Sequence, residues 1–254
     1  MLFAAAGLIA VSQGCSPDGV DTAGVTGDSS ATESGQGDSA NADTAARCPW
    51  GEARSESTKS VFGFIYDGAP ERPLASVAMT ACETTQPVAL SDSAGQWELA
   101  LPDAEWVVVD QRFDPFVPNR CVFEPALEGS AEHPFRIGMG KFEGDDFPMA
   151  HLGILPEPDK SWVDVDALDD LLGNDLAGAT IDITAPYDAA ITQDLDGNFI
   201  LSNVTNGEFD ILFANVELVP FEIIVSHPDK PTCRVPGPMV GVGNDQLNLS
   251  VYCQ

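Results

Sequence analysis

Two segments of the chain repeat one pattern at a constant offset of 102 residues. The first reads Leu-Ala-Ser at 74–76 and Asp-Ser-Ala-Gly-Gln-Trp-Glu-Leu at 92–99, and the second reads Leu-Ala-Gly at 176–178 and Asp-Leu-Asp-Gly-Asn-Phe-Ile-Leu at 194–201. Chance matches would not keep this register through a turn, a glycine and an apolar alternation together. We therefore predict two copies of one domain, which a chain of 254 residues accommodates because domains of about 100 residues can bury a core.

Each copy has the pattern of short β-strands. Apolar residues alternate along 61–66 and 97–101 in the first copy, and along 179–183 and 209–213 in the second. Gly, Pro and Asp divide these stretches at intervals of about ten residues, which is typical of an antiparallel sandwich or barrel. The prediction is an all-β fold of two tandem antiparallel β-sandwich domains, at 58–155 and 160–254. Residues 163–172 are the one stretch that could form a short helix, although their Asp-rich pattern is unusual for one.

Residues 1–14 predict a signal peptide of the lipoprotein type. The apolar run at 2–11 has the length of a signal-peptide core and is short for a membrane span, which takes about 20 apolar residues. Gly14 and Cys15 follow and resemble the end of a bacterial lipobox, so Cys15 is the predicted lipid attachment site. Ser12 stands where a lipobox has an aliphatic residue, and signal cleavage without a lipid is the alternative. Either outcome exports the protein, and we predict a location in the bacterial cell envelope.

Residues 15–57 predict a disordered acidic tether. Between 16 and 46 the segment has no aromatic residue and no Lys or Arg, and is rich in Ser, Gly, Thr, Ala and Asp. Such a composition buries too little apolar surface to offset the entropy lost on ordering. The whole chain has 11 Lys and Arg against 40 Asp and Glu, a net charge of -29. This charge disfavours nucleic acid as a partner, and indicates either a solvated, self-repelling surface or binding of divalent cations.

The cysteines indicate disulfides, because an exported chain meets an oxidising compartment and has no CxxC pair. Cys233 and Cys253 flank the last predicted loop and strand, so they are each other's best partners. Among the three cysteines at the first copy we favour a bond between Cys82 and Cys121, which leaves Cys48 free. The sequence leaves the other pairings of these three open.

The first copy contains the motif Val61-x-Gly63-x-Ile65-x-Asp67, then Leu74-Ala75 and Asp92-x-x-Gly95-x-Trp97-x-Leu99. With its counterpart at 176–207, this pattern resembles the carboxypeptidase regulatory-like domain, a transthyretin-like sandwich of seven strands. The resemblance implies modules that serve as spacers, stalks or adhesive surfaces. In the related starch-binding-like sandwiches, it implies sugar-binding sites. The zinc carboxypeptidase domain that gives the family its name has no counterpart in this sequence.

The sequence contains no pattern of a hydrolase or a zinc enzyme. It has no GxSxG motif, and its three histidines share no metal-binding spacing. We therefore predict a protein that is not an enzyme and needs no cofactor.

Two sets of residues are candidates for ligand binding. Asp194 and Asp196 resemble part of a calcium loop, although a hairpin turn also requires Asp and Gly at these positions. A patch of further aspartates, which could either add to an ion site or simply be solvated, precedes the second copy at 164, 166, 169, 170 and 175. Phe113 and Phe116 lie in a Pro-rich loop and could form a platform for a sugar, or clamp the loop onto its own sandwich.

Together these patterns predict a non-enzymatic lipoprotein of the cell envelope that acts as a structural or interaction module. Its expected partners are a membrane, through the lipid, and a protein or glycan. The alternative function is a carbohydrate-binding surface protein that uses a sandwich face or loop.

Overall fold

The described part of the first copy forms seven strands in the computed structural model of the protein. They are β1 (Thr58–Asp67), β2 (Ala78–Ala81), β3 (Ala89–Leu90), β4 (Gln96–Pro102), β5 (Val107–Arg112), β6 (Asn119–Phe123) and β7 (Phe135–Met139). The structure describes residues 58–67, 72–81, 89–102, 105–132, 134–139, 152–169, 175–196, 198–207, 210–241 and 243–254. These ranges all lie in one compact unit, Asp38–Gln254.

The second copy contains nine described strands. They are β8 (Ser161–Asp169), β9 (Ala177–Ile183), β10 (Ala189–Gln193), β11 (Phe199–Leu201), β12 (Val204–Asn206), β13 (Ile211–Val216), β14 (Ile223–Ser226), β15 (Cys233–Arg234) and β16 (Gln246–Cys253). The all-β prediction is confirmed. The short helix considered at 163–172 is wrong, because β8 runs through it with a period of two: Val163, Val165 and Ala167 are buried on one face while Asp164 and Asp166 lie on the other.

One long sheet passes through both copies. Its strand order is β11-β10-β13-β8-β16-β6-β5-β2-β3, with β15 paired to β16 as a tenth strand. The junction is β16, which pairs in parallel with β8 of its own copy and with β6 of the first copy. β1 and β7 are also parallel, so the expectation of purely antiparallel sandwiches is wrong in these three pairings. The boundaries 58–155 and 160–254 stay predictions, but the two segments share a sheet.

Two small sheets cover opposite faces of the long sheet. The sheet β4-β1-β7 packs on the first copy, where Val109, Cys121 and Phe123 belong to the core beneath it. The sheet β12-β9-β14 belongs to the second core. This core also includes Val108 of β5 and Val122 of β6, which alternate along their strands with the first-core residues just named. Because successive residues of a strand point to opposite faces, the two cores lie on the two sides of one sheet.

The repeat predicted from the sequence is visible in the backbone. The Leu74 amide donates to the Ile65 carbonyl at 3.0 Å, and 102 residues later the Leu176 amide donates to the Ala167 carbonyl at 2.7 Å. The turns also match, because Asp92 accepts hydrogen bonds from the amides two and four residues on, as Asp194 does in the second copy.

The strand pairing differs between the copies. In the first, the Ser91 hydroxyl, before the Asp turn, accepts from the Val77 amide and donates to the Leu74 carbonyl. In the second, the equivalent amide and carbonyl bind the hydroxyl of Thr205, which comes after the turn. The turn sequence is therefore repeated, but the hydroxyl that binds the equivalent amide and carbonyl differs. It comes from before the turn in the first copy and from β12, after the turn, in the second.

Gly95 should tolerate substitution poorly. Its φ is +73°, and a Cβ atom there would lie 2.3 Å from the Ile65 carbonyl oxygen. We expect Gly95→Ala to lower the free energy of unfolding by about 1 to 3 kcal/mol, the scale for strained backbone positions. Gly153→Ala is the matched control, because Gly153 has a φ of +75° with no atom within 4 Å of the added Cβ. Urea unfolding of both variants separates the effect of the close contact from the cost of the positive φ, which the two positions share. Equal losses of unfolding free energy would show that the close contact has no effect. Gly197, the counterpart of Gly95, lies outside the described residues.

Candidate functional site

A cavity of about 290 Å³ lies where the two copies meet on the long sheet. We call it the carboxyl cavity. Strands β8 and β16 and the residue directly before β13 build its polar floor, which consists of Asp164, Asp166, Asp210, Gln246, Asn248 and Ser250. Elements of the first copy form its other side, namely Tyr66 of β1, residues 135–138 of β7 and Glu128 of the preceding loop. The strand alternation explains the floor, because the same residues of β8 and β16 that face away from the second core face this cavity.

Strand register places the floor residues beside one another. Ile211 pairs with Val165, so Asp210 stands next to Asp166 on the neighbouring strand. On the other side of β8, Asn248 pairs with Asp164 and Ser250 pairs with Asp166. Like charges opposite each other on paired strands are destabilising. The arrangement thus concentrates carboxyls at a place where their ionised forms repel one another.

Burial raises the pKa of each of the three aspartates. The pKa values of Asp164 and Asp166 lie well above the usual range, first because protein atoms surround both groups and then because Asp210 is close. Burial likewise raises the pKa of Asp210 to about 6, while its hydrogen bond with Asp166 lowers it. Each of the three side chains still has some surface accessible to solvent, and this surface faces the cavity.

Asp166 and Asp210 lie close enough for a hydrogen bond between their carboxyls, and such a bond requires that one of the two is protonated. Glu128 contributes a further carboxyl, which accepts a hydrogen bond of 2.6 Å from the Tyr252 hydroxyl, and burial raises its pKa too. The site can therefore hold a cation, accept several hydrogen bonds and exchange a proton.

The protein is expected to lose stability as the pH rises from about 4 to about 6. The folded state keeps a proton on Asp210 up to about pH 6 while the unfolded state loses it near 3.8, so the folded state binds more protons in that window and stability falls. Asp164, Asp166 and Glu128 act in the same direction. We expect Asp210→Asn to gain on the order of 2 kcal/mol over the native chain at pH 8, and less at pH 5. Urea unfolding at both pH values measures this.

The control for this experiment is Asp229→Asn, which removes the same charge from an exposed position. It corrects for the general repulsion of a chain with a net charge of -29. If both variants change stability equally at pH 8, the effect of Asp210 is that of net charge and not of the cavity.

The aspartates that the sequence grouped into one patch are separated in the structure. Asp164 and Asp166 line the carboxyl cavity, Asp169 forms an ion pair of 2.6 Å with Lys230, and Asp175 is exposed. Asp170 lies outside the described residues. Asp210 was missed, because only strand pairing brings it to Asp166.

The calcium candidates Asp194 and Asp196 form a turn instead of a cluster of ligands. Oδ1 of Asp194 accepts from the amides of Asp196 and Asn198, both at 2.9 Å. Among the described residues no group of three or more His, Cys, Asp or Glu side chains is arranged to hold a metal ion. The hairpin interpretation explains the acidic residues here, and calcium binding stays untested.

The candidate platform residues Phe113 and Phe116 do not form an exposed pair of rings. The two rings stack with centroids 5.9 Å apart, but Phe116 is only 8% exposed and belongs to the core of the first copy, against which Phe113 packs. The loop clamps onto its own sandwich because this buries both rings, as the alternative interpretation had it. Trp97 is buried in the same core.

The cysteine predictions have mixed outcomes. The disulfide between Cys233 and Cys253 is confirmed, and it closes β15 onto β16. The favoured bond between Cys82 and Cys121 is wrong, because Cys121 is a free thiol buried in the core of the first copy. Cys15, Cys48 and Cys82 themselves lie outside the described residues, as do the predicted signal peptide and tether. In the described part of the chain no helix could cross a membrane.

Comparisons with known proteins give distant structural likeness alone. No family model matches the sequence, and no curated protein matches it significantly. The Bacillus anthracis TIE protein is 12% identical with a TM-score of 0.26, over 78% of this chain and 34% of that protein. The shaft pilin SpaA from Lactobacillus rhamnosus GG is 12% identical with a TM-score of 0.24, over 78% and 98%. A streptococcal ancillary pilin is 15% identical with a TM-score of 0.25, over 63% and 48%. Scores at this level assign neither family nor function.

Proposed function

We propose that the protein is a non-enzymatic structural or interaction module of the bacterial cell envelope, attached to a membrane by a lipid at Cys15. The observation that carries this proposal is the long sheet that β16 makes continuous across both copies. Such a sheet holds the two copies together as one body, which suits a spacer or a surface that binds a partner. The disulfide Cys233–Cys253 supports export, because disulfides persist in oxidising compartments.

The carbohydrate-binding alternative loses its main support in the described residues. Sugar sites commonly stack an exposed aromatic ring on the sugar. The described ring pairs Trp106–Tyr252, Phe113–Phe116, Phe123–Phe135 and Tyr187–Phe213 each contain a buried ring. A glycan array with the full chain tests this alternative, and strong binding to neutral glycans would revive it.

Cys15→Ser tests the anchoring. We expect the native chain to sediment with membranes and Cys15→Ser to move to the soluble fraction, because the thiol that would carry the lipid is gone. Cys48→Ser is the matched control and should leave fractionation unchanged. If Cys15→Ser still sediments with membranes, or the native chain is already soluble, the lipid anchor is refuted and export by plain secretion takes its place.

A further inference from the structure

Among the described residues, no Lys or Arg side chain forms an ion pair with the aspartates of the carboxyl cavity. Three other carboxyls do have a cationic partner: Asp110 pairs with Arg120 at 2.8 Å, Asp169 with Lys230 at 2.6 Å and Glu124 with Arg234 at 3.2 Å. Within the described ranges no Lys or Arg nitrogen lies within 4 Å of a carboxyl of Asp164, Asp166 or Asp210. Arg136 borders the cavity, but its guanidinium lies over the Phe64 ring, 5.5 Å from the centroid.

A buried amide in the floor also has an unused donor. Asn248 is 8% exposed, and its Oδ1 accepts a hydrogen bond of 2.9 Å from Gln246. Its Nδ2 has no hydrogen-bond partner among the described protein atoms. An unpaired buried donor costs free energy unless something supplies an acceptor. In the register of the sheet this donor stands beside Asp164, so an acceptor for it would lie next to the carboxyls.

The size and access of the cavity suit a small molecule. Its volume of about 290 Å³ lies just below the range of drug-sized sites, roughly 300–1,000 Å³, and so suits a small ligand. The three aspartates keep accessible surface, so a ligand can reach them from solvent. Tyr66 and Phe135 line the cavity on the first-copy side.

We propose that the carboxyl cavity binds a small organic cation with a primary ammonium group beside a hydroxyl group, the chemistry of an amino sugar. The ammonium would donate its three hydrogens to the carboxyls of Asp164, Asp166 and Asp210. Charge-assisted bonds of this kind are the strong ones. The neighbouring hydroxyl would accept from Nδ2 of Asn248. This site would satisfy both the uncompensated carboxyls and the orphan donor, which a neutral sugar or a simple amine would not.

Titration calorimetry with the full chain at pH 7 tests the proposal. The probes are glucosamine, glucose, which lacks the ammonium, and cyclohexylamine, which lacks the hydroxyls. We expect glucosamine to bind at least about tenfold more tightly than glucose, since one charge-assisted bond is worth about that factor or more. Asp166→Asn with Asp210→Asn should weaken glucosamine by at least about tenfold, whereas Asp229→Asn, the charge-matched control, should not.

Asn248→Leu separates the two halves of the site. It should weaken glucosamine severalfold and leave cyclohexylamine unchanged, because it removes the donor to the hydroxyl alone. Equal weakening of both ligands overturns the role of Asn248. Any of three results overturns the cation site. These are equal affinity for glucosamine and glucose, no binding of glucosamine, and undiminished binding of glucosamine to the folded chain that carries both Asp166→Asn and Asp210→Asn. None of these results depends on Cys15, so the proposed anchoring succeeds or fails separately.

Discussion

Replacing Arg120 by Met is expected to lower the free energy of unfolding by about 3 to 5 kcal/mol. Arg120 on β6 faces Asp110 on β5, its Nε lies 2.8 Å from the Asp110 Oδ1, and the two side chains are only 4% and 6% exposed. Without the guanidinium, the carboxylate of Asp110 stays buried with no opposite charge. Its other oxygen, Oδ2, already has no hydrogen-bond partner among the described atoms. Urea unfolding at pH 7 measures the loss.

Two further variants show whether charge is the cause. Asp110→Leu combined with Arg120→Met should recover most of the lost stability, because a buried ion pair can be replaced by apolar residues at little cost. Arg72→Met removes an exposed partner of Asp67, 3.8 Å away, and should cost no more than about 1 kcal/mol. If the double variant is as unstable as Arg120→Met alone, lost packing and not the uncompensated charge explains the effect.

Leu249→Ala should destabilise both copies together, by about 2 to 5 kcal/mol. Leu249 lies on β16, is 2% exposed, and pairs with Val165 on one side and with Val122 on the other. Its truncation leaves a cavity in the core where strands of both copies meet. Because the copies share the sheet, we expect one unfolding transition and not the two that small interfaces between tandem domains would give.

Hydrogen exchange under increasing urea checks this expectation. Amides of β4 in the first copy and of β9 in the second should lose protection at the same urea concentration, in the native chain and in Leu249→Ala. Leu155→Ala, at a position 63% exposed, is the control and should change stability by less than about 0.5 kcal/mol. Retained protection of β4 while β9 exchanges would contradict the shared transition and favour two independent domains.

The fold class, the turns and the last disulfide could be predicted from the sequence because local rules decide them. The alternation of apolar and polar residues predicts the strands, and Asp and Gly predict the turn at 92–95. The positions of Cys233 and Cys253 on either side of a loop favour their pairing. The pairing of the strands depends on contacts between distant segments. No local pattern shows that Thr205 takes over in the second copy the role that Ser91 has in the first.

The carboxyl cavity illustrates the same limit of sequence patterns. Asp164 and Asp166 were candidates by composition, but a run of aspartates gives no direction to each side chain until the period of the strand is known. Asp210 and Asn248 are distant in the sequence and reach the cavity through the pairings of β13 and β16 with β8. The free thiol of Cys121 was mispredicted for a related reason, since its burial in β6 depends on the sheet above it.

The position of β16 has a consequence for the order in which the chain can fold as it is made. Residues 246–253 follow all the other described strands, yet β16 lies between β6 and β8 in the sheet. Until these residues emerge, β6 presents an open edge, and such edges pair readily with other chains. A nascent or truncated chain that lacks β16 is therefore exposed to aggregation at this edge, and a chaperone that shields β6 during export would act before β16 is available.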